Sequence, residues 1–177
     1  FSFVFPNGLN NVNEQPPFIS VVVLAQKIKE RASIRLIDLR RKEQYDEFHL
    51  PSAKNRSIDE VLKNIETEGV TTIYYSGDDE LARELWQQLP EKAKIHTMVL
   101  YGGVHDWYER LLYPDLPENT QPMDLGLVNI ISELSNFYGG QAEFVQTGNP
   151  LSYYYQDFSI AKWPRTNRIK GLVRKGC

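Results

Sequence analysis

A single cysteine in 177 residues, Cys177 at the last position, makes an internal disulfide impossible. The cysteine count therefore leaves cytoplasm and periplasm equally open. No window approaches the 18 apolar residues of a membrane-crossing helix. The chain also lacks an initiator methionine and begins FSFVF, as expected of a processed or truncated product whose signal or anchor segment has been removed. Net charge is small, at −3, but unevenly placed. Residues 161–177 (AKWPRTNRIKGLVRKGC) hold six basic residues and no acidic one, leaving 14 basic against 23 acidic residues in 1–160, a net of −9. An acidic body of this kind repels phosphates, which argues against nucleic acid as a partner. The tail reads as a solvated basic segment, with a membrane-surface contact as its functional alternative.

The composition is that of a globular chain, with 41% hydrophobic and 24% charged residues. Residues 1–17, rich in Asn, Gly and Pro, read as a lead-in. Ser20 is placed to cap a helix over 21–31. SIRLIDL (33–39) lacks surface alternation, so it reads as a strand buried on both faces. A short helix fits Lys42–Phe48, and Ser57-Ile58-Asp59-Glu60 is a capping box opening a helix to Glu66. Strand 70–75, helix 79–89, strand 95–100 and helix 104–112 follow. The alternation predicts an α/β fold with a parallel sheet flanked by helices over 18–114. After the Pro-rich break PDLPENTQPMD, residues 115–177 form a C-terminal extension. Its helix, 125–138, ends at Gly139-Gly140 and offers Leu127, Ile130, Ile131 and Leu134 to the domain.

The stretch TTIYYSGDDELARELW (71–86) runs from a strand through a short loop into a helix. Such junctions collect backbone N–H groups and a positive helix end, and so favour anions. Here the loop Tyr74-Tyr75-Ser76-Gly77-Asp78-Asp79-Glu80 carries three carboxylates and no Lys or Arg. An incoming anion would meet repulsion of about 1–4 kcal/mol per close contact. The carboxylates themselves suit the helix N-terminus, at about 0.3–1 kcal/mol each.

IDLRRKEQYDEFHLPSAKN (37–55) resembles the entry motif of the rhodanese-like family through Asp38, Arg40, Tyr45, His49, Leu50, Pro51, Ala53 and Asn55. Gln44 replaces a Glu of that motif, and Phe48 and Ser52 replace two glycines. LYGGVHDWYE resembles a second motif of the family through Gly102, Gly103 and Trp107. Read as framework residues, Asp38 and Arg40 pair at a strand end, His49 is a hydrogen-bonded histidine, Gly102-Gly103 turns the chain, and Trp107 is core. None supplies a nucleophile.

The resemblance implies a Cys nucleophile at the junction of strand 70–75 with the next helix. Pairing Ser76-Gly77 with the family's Cys-x-Ser-Gly loops, the preferred register, puts Tyr74 there; a strand running on to Tyr75 puts Ser76 there. Neither side chain forms a persulfide. The Cys-x5-Arg arrangement of the cell-cycle dual-specificity phosphatases is also absent, since Glu80 and Ala82 occupy the arginine's place in the two registers. The resemblance thus implies a catalytically inactive rhodanese-like module that binds a protein partner or small ligand, with no metal or cofactor. The alternative is a sulfur carrier using Cys177, beside Arg174 and Lys175. The whole chain also resembles extracytoplasmic, membrane-tethered rhodanese-like proteins of Bacteroides-type bacteria. The expected location is therefore periplasmic, with cytoplasm as the alternative.

Overall fold

The computed structural model of the chain describes residues 15–65, 69–146 and 150–155. The expectations for most of the lead-in, for the basic tail and for Cys177 lie outside the described residues. Five parallel strands form the main sheet in the order β1-β5-β4-β2-β3. They are β1 (Phe18–Ile19), β2 (Ile34–Asp38), β3 (Lys54–Asn55), β4 (Thr71–Tyr75) and β5 (Thr97–Leu100). Strands β2 and β4 are central, with Ile34 to Asp38 in register with Thr71 to Tyr75. Their apolar runs follow from burial on both faces.

One face is covered by α1 (Val21–Lys29) and by α6 (Gly103–Asp106), which continues into a π-helical segment at Trp107–Leu112. The other is covered by α3 (Ile58–Lys63), α4 (Glu80–Gln88) and α5 (Glu91–Lys94). Alternation along β4 sends Tyr75 into the first layer and Tyr74 into the second. The Ser20 hydroxyl caps α1 by accepting from the Val23 amide. The Ser57–Glu60 capping box opens α3 as the motif predicts. A short helix, α2 (Lys42–Glu47), links β2 to β3.

The extension is docked on the first layer. Strand β6 (Asp115–Pro117), helix α7 (Leu125–Phe137) and strand β7 (Glu143–Val145) make a small unit whose two strands pair in parallel. Tyr138 packs edge-on against Trp107, with ring centroids 5.2 Å apart, and donates its hydroxyl to the Ala25 carbonyl at 2.7 Å. The expected apolar face of α7 is rotated. Val128, Ile131, Leu134 and Ser135 are buried, Leu127 is half-buried, and Ile130 faces solvent at 40% exposure. Positions 128, 131 and 135 follow the i, i+3, i+4 rule, and Ile130 lies about 100° off that stripe. The helix ends where Gly139, at φ 78°, and Gly140 return their amides to Asn136 and Ser135. A side chain at Gly140 would strike the Leu112 carbonyl, since its Cβ would lie 2.0 Å from that oxygen.

No helix among the described residues is long and apolar enough to cross a membrane.

Candidate functional site

The C-terminal ends of β2 and β4 lie side by side, since Asp38 is in register with Tyr75 and the Leu39 amide donates to the Tyr75 carbonyl. Open α/β sheets place their ligand sites at this edge.

One half of the edge is a dense polar framework. Asp38 is fully buried and accepts from the Arg40 amide at 2.9 Å, and from Arg40 Nε and Nη2 at 3.0 and 2.7 Å. The other Arg40 bond runs to the Phe48 carbonyl. Asn55 Nδ2 donates to the Asp38 and Arg40 carbonyls. The Tyr75 hydroxyl accepts from the Leu50 amide at 3.2 Å. Burial first, and then the Asp38 charge, push the Tyr75 hydroxyl well above its usual pKa. His49 stacks on Tyr45 at 4.1 Å and bonds through Nδ1 to the Tyr45 carbonyl, and Tyr45 donates to the Ala53 carbonyl. Asp38, Arg40 and His49 are each hydrogen-bonded within this edge. Ser52, where the motif has glycine, takes a left-handed φ of 65°.

The other half is the loop between β4 and α4. Strand β4 runs through Tyr75, so Tyr74 is a sheet residue paired with Ile37 and Val99. The two positions that the resemblance offers for the cysteine, Tyr74 and Ser76, thus lie just inside and just after the end of this strand. Tyr74 and Tyr75 belong to the strand and its two cores, and the loop proper opens at Ser76. Ser76 is almost fully buried and donates its hydroxyl to the Asp78 carbonyl at 2.6 Å. That proton is aimed at a carbonyl and not at an imidazole, so the oxygen receives no general-base activation.

The carboxylates act locally. Asp78 accepts from the Glu80 amide at 3.0 Å, which fills one N–H at the start of α4. Asp79 makes no side-chain cap and faces Arg83 at 3.5 Å. Burial pushes the Asp79 carboxyl up from its usual value, against the pull of Arg83. Glu80 is exposed.

Gly102-Gly103 closes the loop from below. Both take positive φ, 65° and 56°. A Cβ at Gly103 would lie 2.4 Å from the Asp78 carbonyl and 2.5 Å from that of Ser76. Only glycine lets the loop descend this far, and the descent lets the Val104 and His105 amides donate to the Ser76 and Gly77 carbonyls at 3.0 and 2.9 Å. Trp107 is buried in the core behind this turn, as predicted. Among the described residues no group of three or more His, Cys, Asp or Glu could hold a metal ion.

With this geometry in place, the comparisons agree with the motifs. The model of the rhodanese-like domain family matches residues 20–110, half of the chain, and the chain belongs to that family. No match is found among curated proteins. Similar solved structures include the rhodanese-like domain of an Anabaena protein, 14% identical, covering 89% of this chain and 96% of that one at a TM-score of 0.45. A rhodanese-related protein of Thermoplasma volcanium is 16% identical over 53% of this chain and 92% of its own, with a TM-score of 0.45. A Rhodopseudomonas palustris protein described as a possible tyrosine phosphatase is 10% identical over 52% and 80%, with a TM-score of 0.48. These likenesses carry no functional weight.

Proposed function

We propose that this chain is a rhodanese-like module retired from sulfur transfer, one that binds a protein partner or small ligand at the β2/β4 edge. The observation that carries the reading is Ser76. It is the first residue after β4 and one of the two positions, with Tyr74, at which the family resemblance puts the nucleophilic cysteine, and its hydroxyl is spent on the Asp78 carbonyl. A hydroxyl has no accessible anion at neutral pH and forms no persulfide. Asp78, Asp79 and Glu80 add negative charge where thiosulfate would have to enter. The scaffold of Asp38, Arg40, Tyr75 and Asn55 holds the edge in shape without a nucleophile.

The competing reading uses Cys177 as a carrier. Its thiolate would take the outer sulfur of thiosulfate, releasing sulfite, and cyanide would remove that sulfur as thiocyanate and regenerate the thiolate. Arg174 and Lys175 favour such a thiolate. The two readings separate in one experiment. The chain is incubated with thiosulfate, desalted and treated with cyanide, with and without prior alkylation. No thiocyanate in either arm supports the retired module. Thiocyanate that alkylation abolishes supports the carrier. Thiocyanate that survives alkylation contradicts both.

A further inference from the structure

Helix α7 carries more apolar surface than its seat on the domain uses. Its sequence, LGLVNIISELSNF, holds one charged residue in 13. That residue, Glu133, is ion-paired with Lys29 of α1, and the Lys29 ammonium also lies 5.2 Å from the Phe137 ring centre. Val128, Ile131 and Leu134 are buried on the inner side. The outer side, where a surface helix ordinarily turns charges to water, shows Ile130 at 40% exposure and Phe137 at 57%. Met123, in the 3-10 turn that runs straight into α7, extends this stripe at 87%. An apolar strip of this kind marks a contact surface. We propose that it docks a second copy of the chain, α7 lying antiparallel on α7 about a two-fold axis at Ile130. The β2/β4 edge plays no part in this contact.

Spacing and charge name the occupant. Met123 and Phe137 stand seven residues either side of Ile130, about two helical turns each way. An antiparallel copy therefore sets Phe137 on the partner's Met123 and Ile130 on its own symmetry mate, the self-complementary pattern of a two-fold contact. Gly126 leaves the backbone open for close approach, with nothing within 4 Å of where its Cβ would stand. Beside the stripe, α7 and the Gln26, Lys29 and Glu30 side of α1 border a groove that a second helix can enter. Residues 1–160 carry a net charge of −9, so two copies repel unless they meet through a face whose charges balance. Here Lys27 and Lys29 at the end of α1 stand against Glu30 and Glu133. Antiparallel helices also set the positive end of one α7 beside the negative end of the other. The acidic body at the same time disfavours an anionic membrane as the occupant.

Sedimentation equilibrium of the full chain, from about 5 to 500 μM, tests the inference. The parent should form a reversible dimer in this range. Ile130→Glu sets two carboxylates on the axis and should weaken the dimer at least about tenfold, and Ile130→Lys should do the same. An equimolar mixture of the two variants should regain the dimer, because opposite charges then meet at the axis, and that recovery also shows both variants to be folded. Ile95→Glu, at a 77% exposed position between α5 and β5, should leave the dimer unchanged. The proposal is overturned if the parent is a monomer throughout, if Ile130→Glu dimerises like the parent, if Ile95→Glu weakens the dimer as much, or if the mixture does not recover. A monomeric parent that binds phosphatidylcholine vesicles, where Ile130→Glu does not, overturns it in favour of a bilayer on this face.

Discussion

The two halves of the β2/β4 edge have fared differently. On the β2 side, Asp38, Arg40 and Asn55 form a hydrogen-bonded set around a fully buried carboxylate. On the β4 side the loop opens with a hydroxyl and is followed by three carboxylates. The scaffold half has to satisfy buried polar groups, and losing any member leaves a charge or amide stranded. On the proposed reading the loop half has no such obligation. Carboxylates at a helix start are locally favourable there, whatever they do to an incoming anion. A motif can therefore remain readable for reasons of folding while the activity linked to it is lost.

The largest effect that would break this comparison is at Asp38. Asp38→Ala should cost about 3–5 kcal/mol, read as a fall in the urea midpoint, because it strands the Arg40 guanidinium and amide. A loss under about 1 kcal/mol would mean that the scaffold is no more constrained than the loop. Next comes Gly103→Ala, whose Cβ meets two loop carbonyls at a positive φ. It should cost about 2–3 kcal/mol in the same assay. Asp78→Ala, by contrast, should stay within about 1 kcal/mol.

Ser52→Gly sharpens the comparison in the other direction. Ser52 holds φ 65° without glycine's freedom, so the change should stabilise the chain by about 0.5–1 kcal/mol in thermal unfolding. The smallest effect is in pH. Burial raises the folded pKa of Asp106 and Asp79 above the 3.8 of the free side chain. The folded state thus binds their protons more readily, and these two groups add stability as pH falls from neutral towards 3.8 and lose it as pH rises through the folded value. Glu60 runs the opposite way, since its capping bonds to Ser57 lower its pKa and are lost on acidification. Asp106→Asn should therefore lose more of its urea midpoint than the parent between pH 7 and pH 4.

Much of this was legible in the chain. The long strands β2 and β4 announce themselves by apolar runs, α1 and α3 by Ser20 and Ser57, and the parallel order by alternation. Asp38, Arg40, His49, Gly102, Gly103 and Trp107 stand in framework roles. The rest lacked a local signal. Strands β1 and β3 are two residues long, and β6 and β7 are three, too short to show a period. Tyr75 reads as the strand residue it is, but nothing local foretells that its hydroxyl accepts from the Leu50 amide across the fold. Leu151 and Tyr153 were invisible because their partners, Ile131 and Tyr101, are distant in sequence and the YYY run has no helical or strand rhythm.

The central claim is that the loop has lost both its thiolate and its welcome for an anion. Steady-state thiosulfate-to-cyanide turnover tests it most directly, measured on the unmodified chain, on Ser76→Cys, and on Ser76→Cys combined with Asp78→Ala, Asp79→Ala and Glu80→Ala. The account predicts background turnover for the unmodified chain and little more for Ser76→Cys, whose thiol pKa the carboxylates would raise. The combined variant should turn over at least about tenfold faster than Ser76→Cys, equivalent to removing about 1.4 kcal/mol of repulsion. Turnover well above background in the unmodified chain that survives Cys177→Ser would contradict the account outright.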